Sequence, residues 1–275
     1  MGGVKISFAI LAAAVTAIQA NAAIIVSTNF DSYTPLVGTP AGNDVSALFT
    51  EANSGGGNTS FVDAGGGNIV LTQSAGGTGT SNSSASIASA NSNFSTAGGF
   101  RISTTFSISA YTLGTGGVVN VSLSAFGTST DLGSGNAYRL IYTLSGSSPG
   151  TLALQEVGGT LVANATGSIT PIVSPPGSQS LTLTLEGIYT SPTALSLTGT
   201  ITNGTNTLTL TGNDTSIGIA NGNNFGVRTA LNGNGATSSE TITFSNFSLE
   251  TIPEPTSIAL LGTAIGVLGV RRKRA

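Results

Sequence analysis

Phe100, Ile102, Thr104, Phe106 and Ile108 alternate with Arg101, Ser103, Thr105 and Ser107. A rhythm of two puts successive side chains on opposite faces, so this stretch reads as a strand with one buried and one wet face. Tyr138, Leu140, Tyr142 and Leu144 repeat the pattern, as do Leu181, Leu183 and Leu185. No segment between the two ends carries a helical stripe, and Gly, Asn and Ser separate the apolar runs. Many short strands with turn signals predict an all-β fold, a two-sheet antiparallel jelly-roll sandwich over residues 23–252. A β-solenoid is the competing architecture, but it requires a fixed short repeat and the chain has none.

One hairpin has a predicted register. Asn203-Gly204 suits a two-residue turn in which both positions take positive φ. That turn pairs Thr202 with Thr205, Leu197 with Leu210 and Gly199 with Leu208. Leu195, Leu197, Ile201, Leu208 and Leu210 then share one face, with threonines mainly on the other. Residues 52–99 are rich in Gly, Ser, Asn and Thr, with apolar islands at Phe61-Val62, Ile69-Val70-Leu71 and Ile87. Long glycine-rich loops between short strands are expected there. Pro175-Pro176-Gly177 breaks the chain before the strand at 181–185.

The two ends read as addresses. Lys5, an apolar stretch from Ile6 to Ile18 and Ala20-Asn21-Ala22 form a secretory signal helix over residues 1–22, with cleavage expected before Ala23. A second apolar run, Ile258 to Val270, is followed by Arg271, Arg272, Lys273 and Arg274. As a helix it reaches about 20 Å, short against a hydrocarbon core of about 30 Å. Its cationic flank belongs on the cytoplasmic side, which leaves the body outside. Just ahead, Pro253-Glu254-Pro255 keeps the backbone extended.

Composition excludes much chemistry. The chain has no His and no Cys, so it cannot form a Ser-His-Asp triad, a thiolate nucleophile, a disulfide or a His/Cys metal site. Residues 23–252 hold three arginines (Arg101, Arg139, Arg228) against ten acidic residues, a net charge of −7. Nucleic acid is therefore not expected as a partner. A glycoside hydrolase needs two carboxylates about 5–10 Å apart, and no strand carries acids two or four residues apart; only Glu250 and Glu254 approach that spacing, across the domain's end. No catalytic residue, cofactor or metal site is expected, and the chain reads as a non-enzyme. Asp31 and Asp214 have the hard oxygens calcium prefers, but no calcium-loop pattern surrounds them. There is no Trp to stack on a sugar. Tyr138 and Tyr142 share a face with leucines and read as core, which leaves Tyr111 and Tyr189, near strand ends, as candidate glycan contacts. The three arginines lie opposite the apolar faces of their strands and read as solvated charges, with contact to an anion or uronate as the functional alternative.

The tail, from Pro253-Glu254-Pro255 through the short apolar helix to Arg271-Arg272-Lys273-Arg274, resembles the PEP-CTERM sorting signal. The resemblance covers residues 253–275. It implies an exported protein of a Gram-negative bacterium, recognised by a membrane-embedded exosortase-type enzyme, held in the membrane before processing and associated with the cell surface and exopolysaccharide. In the body, Asn29-Phe30-Asp31-Ser32-Tyr33, LTLTLEG at 181–187 and TITFSNFSL at 241–249 resemble concanavalin A-like, LamG-type jelly rolls. That likeness implies that the first and last strands lie together, with Phe30 near Phe244 or Phe247. The expected role is structural or adhesive in the envelope or extracellular matrix, and the rival is a lectin-like glycan-binding module.

Overall fold

A computed structural model describes residues 23–28, 49–55, 61–65, 68–77, 79–90, 92–95, 98–145, 150–157, 165–168, 180–215, 222–233 and 237–253. The signal segment 1–22, the tail beyond Pro253, Asn29–Tyr33 with Asp31, and Pro175-Pro176-Gly177 lie outside the described residues. Among the described residues no helix is long and apolar enough to cross a membrane.

The alternating segments are strands. In chain order they are β1 (Ile24–Thr28), β2 (Thr50–Gly55), β3 (Phe61–Gly65), β4 (Asn68–Ala75) and β5 (Thr80–Ala88), then the four-residue α1 (Ser92–Ser95). There follow β6 (Gly99–Thr112), β7 (Val118–Gly127), β8 (Ala137–Ser145), β9 (Thr151–Val157) and β10 (Ala165–Ser168). The chain closes with β11 (Leu181–Ser191), β12 (Ala194–Thr202), β13 (Thr207–Asp214), β14 (Asn224–Asn232) and β15 (Ser238–Ile252). They form two antiparallel sheets. An eight-stranded sheet runs β13-β12-β11-β6-β15-β4-β3, with β1 also paired to β15, and a seven-stranded sheet runs β10-β9-β8-β7-β14-β5-β2. The architecture is a two-sheet sandwich, not a solenoid.

First and last strands pair, as the jelly-roll likeness implies: Thr28 stands opposite Phe247 and Ser27 opposite Ser248. The pairing is fastened at its outer end, where Ala23 N donates to Thr251 Oγ1 at 3.0 Å and Thr251 N to the Ala23 carbonyl at 2.9 Å. Strand β15 carries a bulge between Phe244 and Asn246. The extra residue lets Phe244 and Phe247, three apart, both point inward while Asn246 faces solvent. Thr105 N donates to Asn246 Oδ1 at 2.8 Å and Thr104 Oγ1 to the Asn246 carbonyl at 2.7 Å, which holds the bulge in place.

Two expectations need correction. The β12–β13 hairpin pairs Thr202 with Thr207, Leu197 with Gly212 and Gly199 with Leu210. Its loop is four residues, 203–206, not two. Asn203 Oδ1 accepts Thr205 N at 3.0 Å and Asn206 N at 2.7 Å, and Gly204 takes φ +86°. The Asn side chain thus builds a wider turn from its own backbone neighbourhood. A slip of two residues preserves parity, so every leucine keeps its face. Secondly, the stretch 52–99 is largely sheet: β4 and β5 span eight and nine residues, and β5 lies between β14 and β2. Its Ser and Ala side chains are small enough to be buried there on both faces.

One end of the core holds an aromatic cluster. Phe94, Phe100, Phe126 and Phe225 meet with ring centroids 4.8 to 6.3 Å apart, and Tyr138 adds an edge contact to Phe126 at 6.1 Å. Such pairs contribute about 0.5–1.5 kcal/mol each beyond area burial. They hold Phe126 at φ +57°, a backbone state that costs a non-glycine residue about 1–2 kcal/mol. Towards the other end the interior turns polar: Thr229 Oγ1 donates to Gln73 Oε1 at 3.0 Å, and Gln73 Nε2 to Ser83 Oγ at 3.3 Å. Glu240, paired to Gln73 in register, is only 1% exposed and neither carboxylate oxygen has a hydrogen-bond partner among the described residues. Burial pushes its carboxyl up to about 8.

Candidate functional site

The outer face of the eight-stranded sheet is where the alternating threonines emerge. Register aligns them across strands. One row runs Asn246, Thr105, Thr182, Thr202 and Thr207. The next runs Ser27, Ser248, Ser103, Thr184, Thr200 and Thr209. A third runs Glu250, Arg101, Glu186, Thr198 and Thr211. None of these side chains is buried. Strands stand about 4.8 Å apart and same-face residues about 6.7 Å apart, so the middle row extends about 24 Å.

Neighbouring hydroxyls pair across strands. Ser103 Oγ lies 2.8 Å from Ser248 Oγ, Thr105 Oγ1 lies 3.0 Å from Thr182 Oγ1, and Thr207 Oγ1 donates to Thr202 Oγ1 at 3.0 Å. A hydroxyl has one donor and two acceptor positions, so each pair keeps capacity for a further partner. A depression of about 270 Å³ opens over Ser27, Ser103, Thr105, Thr182, Asn246 and Ser248, with Glu250 at its edge. Beside it Arg101 is bound by two carboxylates: its Nε donates to Glu186 and its Nη1 lies 3.7 Å from Glu250. Arg101 is thus paired and half-exposed. The face can offer many weak, uncharged hydrogen bonds over a broad area.

The other candidate residues do not converge. Tyr111 and Tyr189 are half-buried and pack against the core. They sit at opposite ends of the eight-stranded sheet, because β6 and β11 are antiparallel and Phe100 pairs with Gly187. Some thirteen residues of strand separate them, roughly 40 Å, too far for one sugar platform. Tyr138 and Tyr142 are fully buried. The Tyr138 hydroxyl donates to the Asp214 carboxylate, and burial together with that bond and charge holds Tyr138 well above the usual phenol range. Glu156 is pushed up by burial and by the Asp214 charge. Among the described residues no cluster of three or more Asp or Glu could hold a metal ion; Asp31 lies outside them.

The arginine expectation holds only for Arg101. Arg139, on the outer face of the seven-stranded sheet, is 7% exposed, and Arg228 on the same face is half-buried. The β7–β8 loop folds back over them, and Arg139 Nη2 donates to the Leu132 carbonyl. Strand alternation identifies the outer face but is blind to a loop that covers it. The hydroxyl rows were visible in outline, since Thr182-Leu-Thr184, Thr198-Gly-Thr200-Ile-Thr202 and Thr207-Leu-Thr209-Leu-Thr211 share parity; only the register lines them up.

No protein-family model matches the chain, and no curated protein does. Among solved structures, it is similar to the CBM2 module of the evolved Dit of Lactobacillus casei BL23 phage J-1, with 12% identity, a TM-score of 0.47, and 84% of this chain and 96% of that chain covered. A legume lectin-like domain from Entamoeba histolytica shows 11% identity and a TM-score of 0.46 over 73% of this chain and 90% of its own. Lectin II from Ulex europaeus shows 12% identity and a TM-score of 0.41 over 82% and 99%.

Proposed function

We propose that the sandwich is a polysaccharide-binding module of an exported cell-surface protein, and that the outer face of the eight-stranded sheet is its contact surface. The observation that carries this reading is the two aligned rows of unburied hydroxyl and amide groups at the 270 Å³ depression. Neutral sugars present the same chemistry in reverse, as rows of hydroxyls that both donate and accept. Uncharged contacts of this kind vary little with salt, unlike ion pairs. The sheet's twist makes the surface a shallow helicoid suited to an extended polymer rather than a flat crystal-like plane. The structural or adhesive role expected in an extracellular matrix is then a consequence of binding its polysaccharide.

Export and processing rest on the sequence of the ends. The 1–22 signal, Pro253-Glu254-Pro255 and the basic cluster at 271–274 support secretion followed by handling through an exosortase-type enzyme. Intact-mass spectrometry of the surface fraction, with the tail present or replaced, tests that part. Affinity electrophoresis through neutral exopolysaccharide tests the binding face. The full-length chain should be retarded, and Ser103→Ala with Thr182→Val should restore its mobility at both low and high salt. Unretarded wild-type protein, or an unaffected double variant, counts against the face.

A further inference from the structure

The opposite side of the molecule carries buried donors that have no partner among the described residues. On the outer face of the seven-stranded sheet, Arg228 stands beside Ser84 and Arg139 beside Ser124. Strand β7 runs between the two arginines, with Ser124 opposite Arg139 and Ser122 opposite Arg228. The loop at 128–136 closes over the patch and is held by its own bonds: Thr128 N donates to the Asn136 carbonyl at 3.1 Å, and Gly133 N to Asp131 Oδ1 at 3.0 Å. Arg139 Nη2 uses the Leu132 carbonyl and Arg228 Nη2 uses Asn82 Oδ1. Both Nε groups and the hydroxyls of Ser84 and Ser124 remain buried without a hydrogen-bond partner. Four of the ten such atoms among the described residues fall on this one patch, so the deficit is local.

The electrostatics agree. Desolvation lowers both guanidiniums, and the charge of Arg228 lowers Arg139 further, to about 10. Asp131 acts the other way on both. It leaves the patch with one uncompensated positive charge. Buried cations without full compensation are costly. Guanidiniums are planar forks that match the two oxygens of a carboxylate or sulfate.

We propose that Arg139 and Arg228 form an oxyanion site for a carboxylate or sulfate group, with Ser124 as a hydroxyl donor. A free inorganic anion and the acidic group of a sugar acid have this chemistry in common. The site lies on the sheet opposite the hydroxyl rows, so either assignment stands if the other fails.

The test is thermal unfolding of the full-length chain in sodium sulfate and in sodium glucuronate, each against sodium chloride at equal ionic strength. Binding raises Tm by about 5–10 °C at a hundredfold excess over Kd. Response to sulfate alone assigns a free oxyanion, and response to glucuronate alone or to both assigns an acidic sugar. Arg139→Met abolishes the response. Ser124→Ala, which removes only a buried hydroxyl, weakens binding about tenfold without lowering Tm in chloride; it decides the matter alone if Arg139→Met does not fold. Absence of a shift with both anions, or a Ser124→Ala variant that binds like wild type, overturns the site.

Discussion

The two outer faces are made from the same kind of strand and end in opposite states. On the eight-stranded sheet, hydroxyls pair with each other across strands and stay open to solvent. On the seven-stranded sheet, serines and an arginine at equivalent outward positions are buried, and several of their donors have no partner among the described residues. The difference is the nine-residue loop at 128–136. Outward-facing residues are mostly polar on both sides because either face begins as a wet surface. A loop that folds back turns part of one of them into a desolvated patch. Openness suits many weak contacts with a neutral polymer; enclosure suits one strong contact with a charge.

The severest way to break this contrast is to loosen the root of the covering loop. Phe126 precedes Gly127 at the end of β7 and anchors the aromatic cluster. Phe126→Ala should cost about 3–5 kcal/mol, measured by denaturant unfolding. Hydrogen exchange should quicken at β7 and β14 more than at β12 and β13.

Glu240 lies between the sheets and tests whether the interior tolerates charge. Its folded-state value of about 8 lies above the ordinary 4.5, so the folded chain holds a proton the unfolded chain releases. Stability from this group is therefore fully present below about pH 4.5 and is lost as pH rises through 8. Glu240→Gln should flatten that loss and raise stability at pH 8 to 9 by about 1–3 kcal/mol, read as Tm across the pH series.

The smallest effects sharpen the contrast directly. Ser124→Ala on the covered face removes an orphaned hydroxyl and should be neutral or stabilising by about 1 kcal/mol in chloride. Thr200→Val on the open face should stay within about 0.5 kcal/mol of wild type. Equal and substantial destabilisation by both would mean that the faces do not differ in solvation.

Much of this was legible from the two-residue rhythm. Alternation identified which side of β6, β8 and β11 faces inward, and it placed Tyr138 and Tyr142 in the core. Parity survives a slip of two, which is why the leucine faces of β12 and β13 were right while their register was not. The turn at Asn203 is decided by a side-chain carboxamide that a dipeptide rule ignores. Strand β5 was hidden because TSNSSASIA has little hydrophobic contrast; its place in the sheet follows from the small volume its neighbours leave. The hydroxyl rows required pairing partners far apart in sequence. The buried arginines required knowing where a loop returns, and neither is encoded in local pattern.

Ala23 and Thr251 exchange hydrogen bonds at the outer end of the β1–β15 pair. The chain therefore enters and leaves the sandwich through one seam. An attachment on either side of the body grips the same corner. Tension between the two leads would peel β1 from β15 one bond at a time, like a zip. Suspension from one lead alone puts no load across the sheets.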